Sequence, residues 1–181
     1  MRPASGQMAF QFHPVTAADE PLLRQWLSTP SSQEWWGEPE CEIKLIYDGQ
    51  ETGESDGYIA HGPDGPFAYI QSWPCEAQPD EATIAEPWIR DQAPGTLGVD
   101  ITIGRPDLLG KGLGSAAVQA FCTMLFEQGA NRIIIDPDAK NTRAIRAYEK
   151  AGFFRFDTFT NENGSTTLLM EKFPPKGHGL S

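Results

Sequence analysis

The chain has 181 residues, 39% of them hydrophobic and 22% charged, which suits one folded domain with one buried core. Its 25 acidic and 14 basic side chains leave a formal net charge of −11, a balance that repels nucleic acid and anionic lipid and favours cationic ligands. No apolar run approaches the roughly 20 residues of a membrane helix. Arg2 precedes no signal-peptide core. Cys41, Cys75 and Cys122 are odd in number and scattered, as are His13, His61 and His178, so a cytoplasmic protein without disulfides or a metal site is expected.

Met8 to Val15 alternates apolar and polar residues and reads as a first strand. Asp19 is placed to cap a helix carrying Leu22, Leu23, Trp26 and Leu27 at helical spacing, ending near Pro30. Trp35-Trp36-Gly37 reads as a loop, followed by a short helix over Pro39 to Tyr47. Tyr58 to His61 and Phe67 to Trp73 are strands joined by a turn at Pro63-Asp64-Gly65. The acidic, proline-bearing stretch from Pro74 to Pro94 reads as a long loop with one short helix over Glu86 to Arg90.

Thr96 to Gly104 is a strand, and a glycine-rich turn at Leu109 to Gly114 leads into a helix ending near Gln128. Leu113, Ala117, Phe121 and Met124 give that helix one buried stripe. Arg132 to Ile135 is a buried strand, and Asn141 opens a helix that stops at Gly152, a left-handed cap. Phe153 to Phe159 and Ser165 to Phe173 close as a hairpin around Asn163-Gly164. The order predicts an α/β domain with a mixed sheet flanked by helices, its core over about 8–173 and a short tail over 174–181.

A strand, a glycine turn and a helix N-terminus together make a phosphate nest, because free backbone N–H groups converge there. Gly110, Gly112 and Gly114 let the backbone approach a ligand, and Lys111 adds charge. Neither a P-loop nor the G-x-G-x-x-G spacing fits. Leu109-Gly-Lys-Gly-Leu-Gly114 resembles the Gln/Arg-x-x-Gly-x-Gly/Ala pyrophosphate loop of the GNAT acetyltransferases, with Leu109 departing at the first position. About 27 residues on, Asn141-Thr-Arg-Ala-Ile-Arg-Ala-Tyr-Glu-Lys-Ala-Gly-Phe153 resembles that superfamily's N-x-x-A-x-x-x-Y-x-x-x-G-F signature.

Asn141 and Tyr148 stand two helical turns apart on one face, about 10 Å along the axis. The resemblance implies that Asn141 contacts the pantetheine arm of acetyl-CoA and that the Tyr148 hydroxyl serves the departing thiolate. Asn141 is equally suited to an N-cap, and Tyr148 to a core. The resemblance further implies a GNAT fold with a mostly antiparallel central sheet. Ile101, Thr102 and Ile103 of the strand would then bind acetyl-CoA, along with the turn from Leu109 through Leu113 to Ser115.

Glu34-Trp-Trp-Gly37, Ala68-Tyr-Ile-Gln-Ser72, Pro94-Gly95, Gly98-Val-Asp100 and Asp136-Pro137 resemble, more narrowly, the aminoglycoside 6'-N-acetyltransferases. That resemblance implies transfer of acetyl to an antibiotic's 6'-amine, with Asp100 beside the reacting nitrogen and Asp136 binding a further amine. Trp36, Gln71 and Trp88 would line the sugar pocket. Asp136 would also suit a turn cap, and Asp100 a strand-end acid. Trp35 and Trp36 cannot both face inward from an extended loop, which frees one to stack on a sugar. Trp26 belongs to the core, and Cys122, in mid-helix, is not a nucleophile.

Siderophore acylases of similar plan would require a histidine near the central strand, whereas none lies between His61 and His178. A polyamine or protein N-terminal acceptor remains open, as does a non-catalytic domain that binds acetyl-CoA or a cationic drug. Either a monomer or a homodimer is compatible with these features.

Overall fold

The computed structural model describes residues 9–176. Met8 and residues 177–181 of the expected tail, His178 among them, lie outside the described residues. A seven-stranded sheet runs in the order β1-β2-β3-β4-β5-β7-β6. In chain order its strands are β1 (Gln11–Pro14), β2 (Asp56–Gly62), β3 (Gly65–Pro74), β4 (Thr96–Ile103), β5 (Arg132–Ile135), β6 (Phe154–Thr160) and β7 (Thr166–Lys172). Helices α1 (Glu20–Leu27), α2 (Pro30–Trp35) and α3 (Pro39–Thr52) join β1 to β2. The short α4 (Asp80–Ala85) lies between β3 and β4, α5 (Leu113–Glu127) between β4 and β5, and α6 (Thr142–Lys150) between β5 and β6.

All neighbouring strands pair antiparallel except β4 and β5, which are parallel. That one pairing is short. Thr96, Leu97 and Gly98 pair with Arg132, Ile133 and Ile134, after which β5 ends at Ile135. Strand β4 continues to Ile103 with only β3 beside it, so its other edge has no strand partner from Val99 onward. The sheet opens into a cleft at this point.

Both faces of the sheet are covered, which explains the unbroken buried run of Phe67 to Ile70 in β3. On one face α5 and α6 pack Ala117, Val118, Phe121 and Ile145 against Ala68, Ile70, Val99 and Ile133. On the other, α1 and α3 pack Leu23, Trp26, Leu27, Ile43 and Ile46 against Ile59 and Tyr69. A third cluster joins Trp73, Cys75, Trp88 and Ile89 to Ile134 and Leu169.

Four local expectations are corrected. The tryptophan pair sits at the end of a helix, because Thr29 accepts the Ser32 amide at 3.4 Å and Pro30 occupies the first helical position. There proline starts a helix, although it reads equally well as the stop of the one before. Helix α3 runs on to Thr52 and stops at Gly53, whose φ is +79°. The Asp19 carboxylate faces backward, accepting the Thr16 amide at 2.8 Å and hydroxyl at 2.9 Å, and closes a capping box ahead of α1. The Pro74–Pro94 stretch holds α4, and its expected helix at Glu86–Arg90 is a single 3-10 turn over Pro87–Ile89.

Candidate active site

The cleft has a volume of about 530 Å³ and lies between the free edge of β4, the first turn of α5, and α6. Ile101, Thr102 and Ile103 form one wall, while Leu109, Gly110, Gly112, Gly114 and Ser115 form the glycine turn beside it. Gly110 and Gly112 have φ of +73° and +79°, a region that side-chain-bearing residues rarely adopt. The first intrahelical bond of α5 runs from the Ala116 amide to the Gly112 carbonyl. The amides of Leu113, Gly114 and Ser115 therefore precede it, free at the positive end of the helix dipole. Gly114 also packs closely on β4, where a Cβ would come 3.0 Å from Ile103.

Asn141 and Tyr148 line the opposite wall. Asn141 accepts the Ala144 amide at 3.2 Å through its side chain, so it caps α6 and still faces the cleft. Tyr148 is 8% exposed. Burial raises its phenol pKa, and the charges of Asp100 and Asp136 raise it further, so the hydroxyl keeps its proton across the neutral range.

The acidic end of the cleft is built by strand register. Gln71 lies opposite Asp100, and Trp73 opposite Gly98. Side chains two apart share a face, so Tyr69, Gln71 and Trp73 project together. One carboxylate oxygen of Asp100 accepts Gln71 Nε2 at 2.8 Å and Trp73 Nε1 at 2.9 Å, and Tyr69 donates to Gln71 Oε1 at 2.7 Å. A Cβ on Gly98 would lie 1.9 Å from the Trp73 ring, so only glycine leaves room for the indole that holds Asp100. Burial raises the Asp100 pKa, which these two hydrogen bonds only partly offset.

Asp136 follows the last residue of β5 and lines the cleft with Asp100. Burial, then the charges of Asp100 and Glu86, push its carboxyl well above the ordinary value of 3.8. Glu86 is raised by burial and by Asp100. Glu42, which accepts the Gly37 amide at 2.9 Å, is raised by the same two causes. Glu42 and Glu86 escape sequence reading, because neither stands in a motif or at a strand end.

A carboxyl whose folded pKa is raised binds its proton more tightly in the folded state. Its stabilising contribution is complete below the unfolded value and is lost as pH rises through the folded one. Asp136→Asn is therefore expected to raise the thermal midpoint of the ligand-free protein at pH 7.5. The gain should be about 2–4 °C, corresponding to roughly 1 kcal/mol in a chain of this size. It should shrink as pH approaches 4, and an unchanged or lower midpoint at pH 7.5 would contradict this reading.

Trp35 and Trp36 are both half-buried and both line the cleft, because the helix ends between them. This corrects the expectation that only one faces inward. Trp36 meets Tyr69 edge-on at 5.9 Å. Gln71, Trp88, Lys111 and Leu113 are not on the cleft wall. Gln71 stands behind Asp100, and Trp88 is buried edge-on to Trp73 at 6.2 Å with its indole N–H lacking an acceptor. Leu113 packs on the core, and Lys111 is exposed. Cys122 is fully buried, with its thiol raised to about 12, which leaves it inert at neutral pH.

A glycine nest, a free strand edge and a capped helix carrying a buried tyrosine meet in one opening. Residues 15–160 match the model of the acetyltransferase (GNAT) domain. The chain belongs to the GNAT acetyltransferases. This acetyltransferase is 34% identical over 166 residues to an aminoglycoside N(6')-acetyltransferase type 1 of Klebsiella pneumoniae, across 87% of this chain and 80% of that protein. It is similar in structure to AAC(6')-Ib with coenzyme A and kanamycin, with a TM-score of 0.78 and 30% identity over 91% of this chain and 95% of that one. AAC(6')-Ib with ribostamycin and coenzyme A gives a TM-score of 0.80 and 28% identity over 96% and 99%. Among the described residues, no helix of this acetyltransferase is long and apolar enough to cross a membrane, and no group of three metal-ligating side chains forms.

Proposed function

We propose that this acetyltransferase moves the acetyl group of acetyl-CoA to the 6'-amine of an aminoglycoside by direct attack of the amine. The observation that carries the reading is the polarity of this cleft. One end offers free amides to a pyrophosphate, and the other presents the carboxylates of Asp100 and Asp136 to a polycation. The nest fits the donor, since its positive-φ glycines leave open space where a Cβ would otherwise stand.

Acetyl-CoA supplies an activated thioester, and this chain positions it. An amine attacks only after losing a proton, and Asp100 is placed to hold the ammonium and accept that proton directly or through water. The raised pKa of Asp100 brings it closer to the pH at which an acceptor works best. The free β4 edge from Val99 to Ile103 offers amides to the carbonyl oxygen as it gains charge. As the C–S bond breaks, Tyr148 donates its proton to the leaving sulfur and is reprotonated by the second proton that the attacking nitrogen sheds on becoming an amide. Asp136 anchors a second amine, and Trp36 offers a face to a sugar ring. Holding both substrates in one orientation can supply roughly 7–11 kcal/mol, so no acyl-enzyme is required.

Gly112→Val forces a β-branched residue into a left-handed conformation at the nest. It is expected to weaken acetyl-CoA binding by about tenfold or more, with a stability loss of only 1–3 kcal/mol or so. Unchanged affinity by calorimetry in the folded variant would contradict the donor site. The acceptor reading is tested by transfer to kanamycin and to spermidine side by side at rising salt. Kanamycin should be preferred, its kcat/KM should fall as ionic strength screens the acidic end, and Asp136→Asn should act mainly on its KM. Robust spermidine turnover without kanamycin product would overturn the acceptor reading.

A further inference from the structure

Each described arginine except two is ion-paired. Arg24 meets Glu20 and Glu40, Arg90 meets Asp80, Arg105 meets Asp107, Arg132 meets Glu171, and Arg155 meets Glu149. The two without a carboxylate partner are Arg143 and Arg146, and both line the active-site cleft. In a chain with 25 acidic and 14 basic side chains, an arginine readily finds an acid. Two adjacent unpaired ones therefore call for another explanation.

Arg143 and Arg146 stand three residues apart on α6, and Lys150, also on the cleft, lies four residues beyond. Residues at these spacings are neighbours on one helix face, where like charges repel. The one acidic side chain of α6, Glu149, already pairs with Arg155 at 2.8 Å. The stripe thus carries positive charge with no counter-charge of its own, and an anion entering the cleft would supply it.

We infer that Arg143 and Arg146 form a second anion subsite at the mouth of the cleft, and that it takes the 3'-phosphate of coenzyme A. The inference rests on acetyl-CoA being the donor. That donor carries two anionic centres: the pyrophosphate, matched by backbone amides at the start of α5, and a monoester phosphate on the ribose. A phosphate monoester presents three charged oxygens, and paired guanidinium groups bind these bidentately while staying protonated. Depth agrees with the assignment. Tyr148, proposed to face the thioester, is buried, whereas Arg143 and Arg146 are exposed, as a group meeting the outer end of the donor must be. The subsite selects the phosphorylated coenzyme over its 3'-dephospho form.

Calorimetric Kd values for coenzyme A and 3'-dephospho-coenzyme A, on the full chain and on Arg143→Gln/Arg146→Gln, separate this subsite from the nest. The unmodified protein is expected to prefer coenzyme A by about tenfold or more, an exposed phosphate contact being discounted for solvent screening. The double variant should lose most of that preference, with the Kd for the dephospho form moving by less than about threefold. Arg143→Lys and Arg146→Lys keep the charge but lose the planar fork, and should fall between. Equal affinity of the unmodified protein for both forms would overturn the subsite, as would equal weakening of both in the double variant. Failure to bind either form would instead overturn the donor reading on which the subsite rests.

Discussion

Asp100→Asn is expected to lower kcat/KM for kanamycin by roughly a hundredfold to ten-thousandfold, the range for removing a positioned proton acceptor. The variant keeps an oxygen for the Gln71 and Trp73 donors, so the fold and the indole should stay in place. It loses the charge that holds the ammonium and the basicity that takes its proton. The pH profile gives an independent signature. Burial raises the Asp100 pKa, and the residue must be deprotonated to act, so activity should rise with pH through a midpoint above the usual carboxylate range. That limb should vanish in the variant. A loss below about fivefold, or a profile unchanged by the substitution, would remove Asp100 from the mechanism.

The second large effect is expected at Tyr148. Tyr148→Phe keeps the ring that packs 6.3 Å from Phe153 and removes only the hydroxyl. It should lower kcat by about tenfold to a thousandfold while leaving the Kd for acetyl-CoA within about threefold. The raised pKa of the phenol keeps it a proton donor throughout the neutral range, so the loss should be nearly independent of pH between 6 and 9 or so. If kcat stays within about twofold when chemistry limits turnover, the tyrosine is not the acid.

The donor side of the site was the more legible in sequence, because it is local. The glycine turn, α5 and α6 form one nearly continuous stretch, and alternating glycines, an N-cap and a left-handed C-cap each act within a few residues. The acceptor side depends on register and packing between distant strands. Gln71 faces Asp100 because β3 and β4 pair in that register, and a slip of one residue would have turned its amide to the opposite face. Nothing local separates a Trp88 on the cleft wall from one buried against Trp73, Ile134 and Leu169. Glu42 feels the charge of Asp100 only because α3 packs Ile43 and Ile46 against Ile59 and Tyr69, a tertiary contact that no local pattern announces.

The arginine pair shows the same division. Arg143 and Arg146 lie inside a legible motif, yet their significance appears only when the ion pairs of the other described arginines are seen in space. An unpaired cation is a property of the folded surface, set by which acids fold up beside it.

The central claim is that one cleft brings acetyl-CoA to the 6'-amine of an aminoglycoside, and the product of the unmodified protein tests it most directly. Kanamycin and acetyl-CoA are incubated with the full chain, and the acetylated nitrogen is mapped by mass spectrometry and NMR. The account predicts a single product with one acetyl group on the 6'-nitrogen, formed by the full chain and nearly absent with Asp100→Asn. Acetylation at another nitrogen, or no transfer although acetyl-CoA binds tightly, would contradict it.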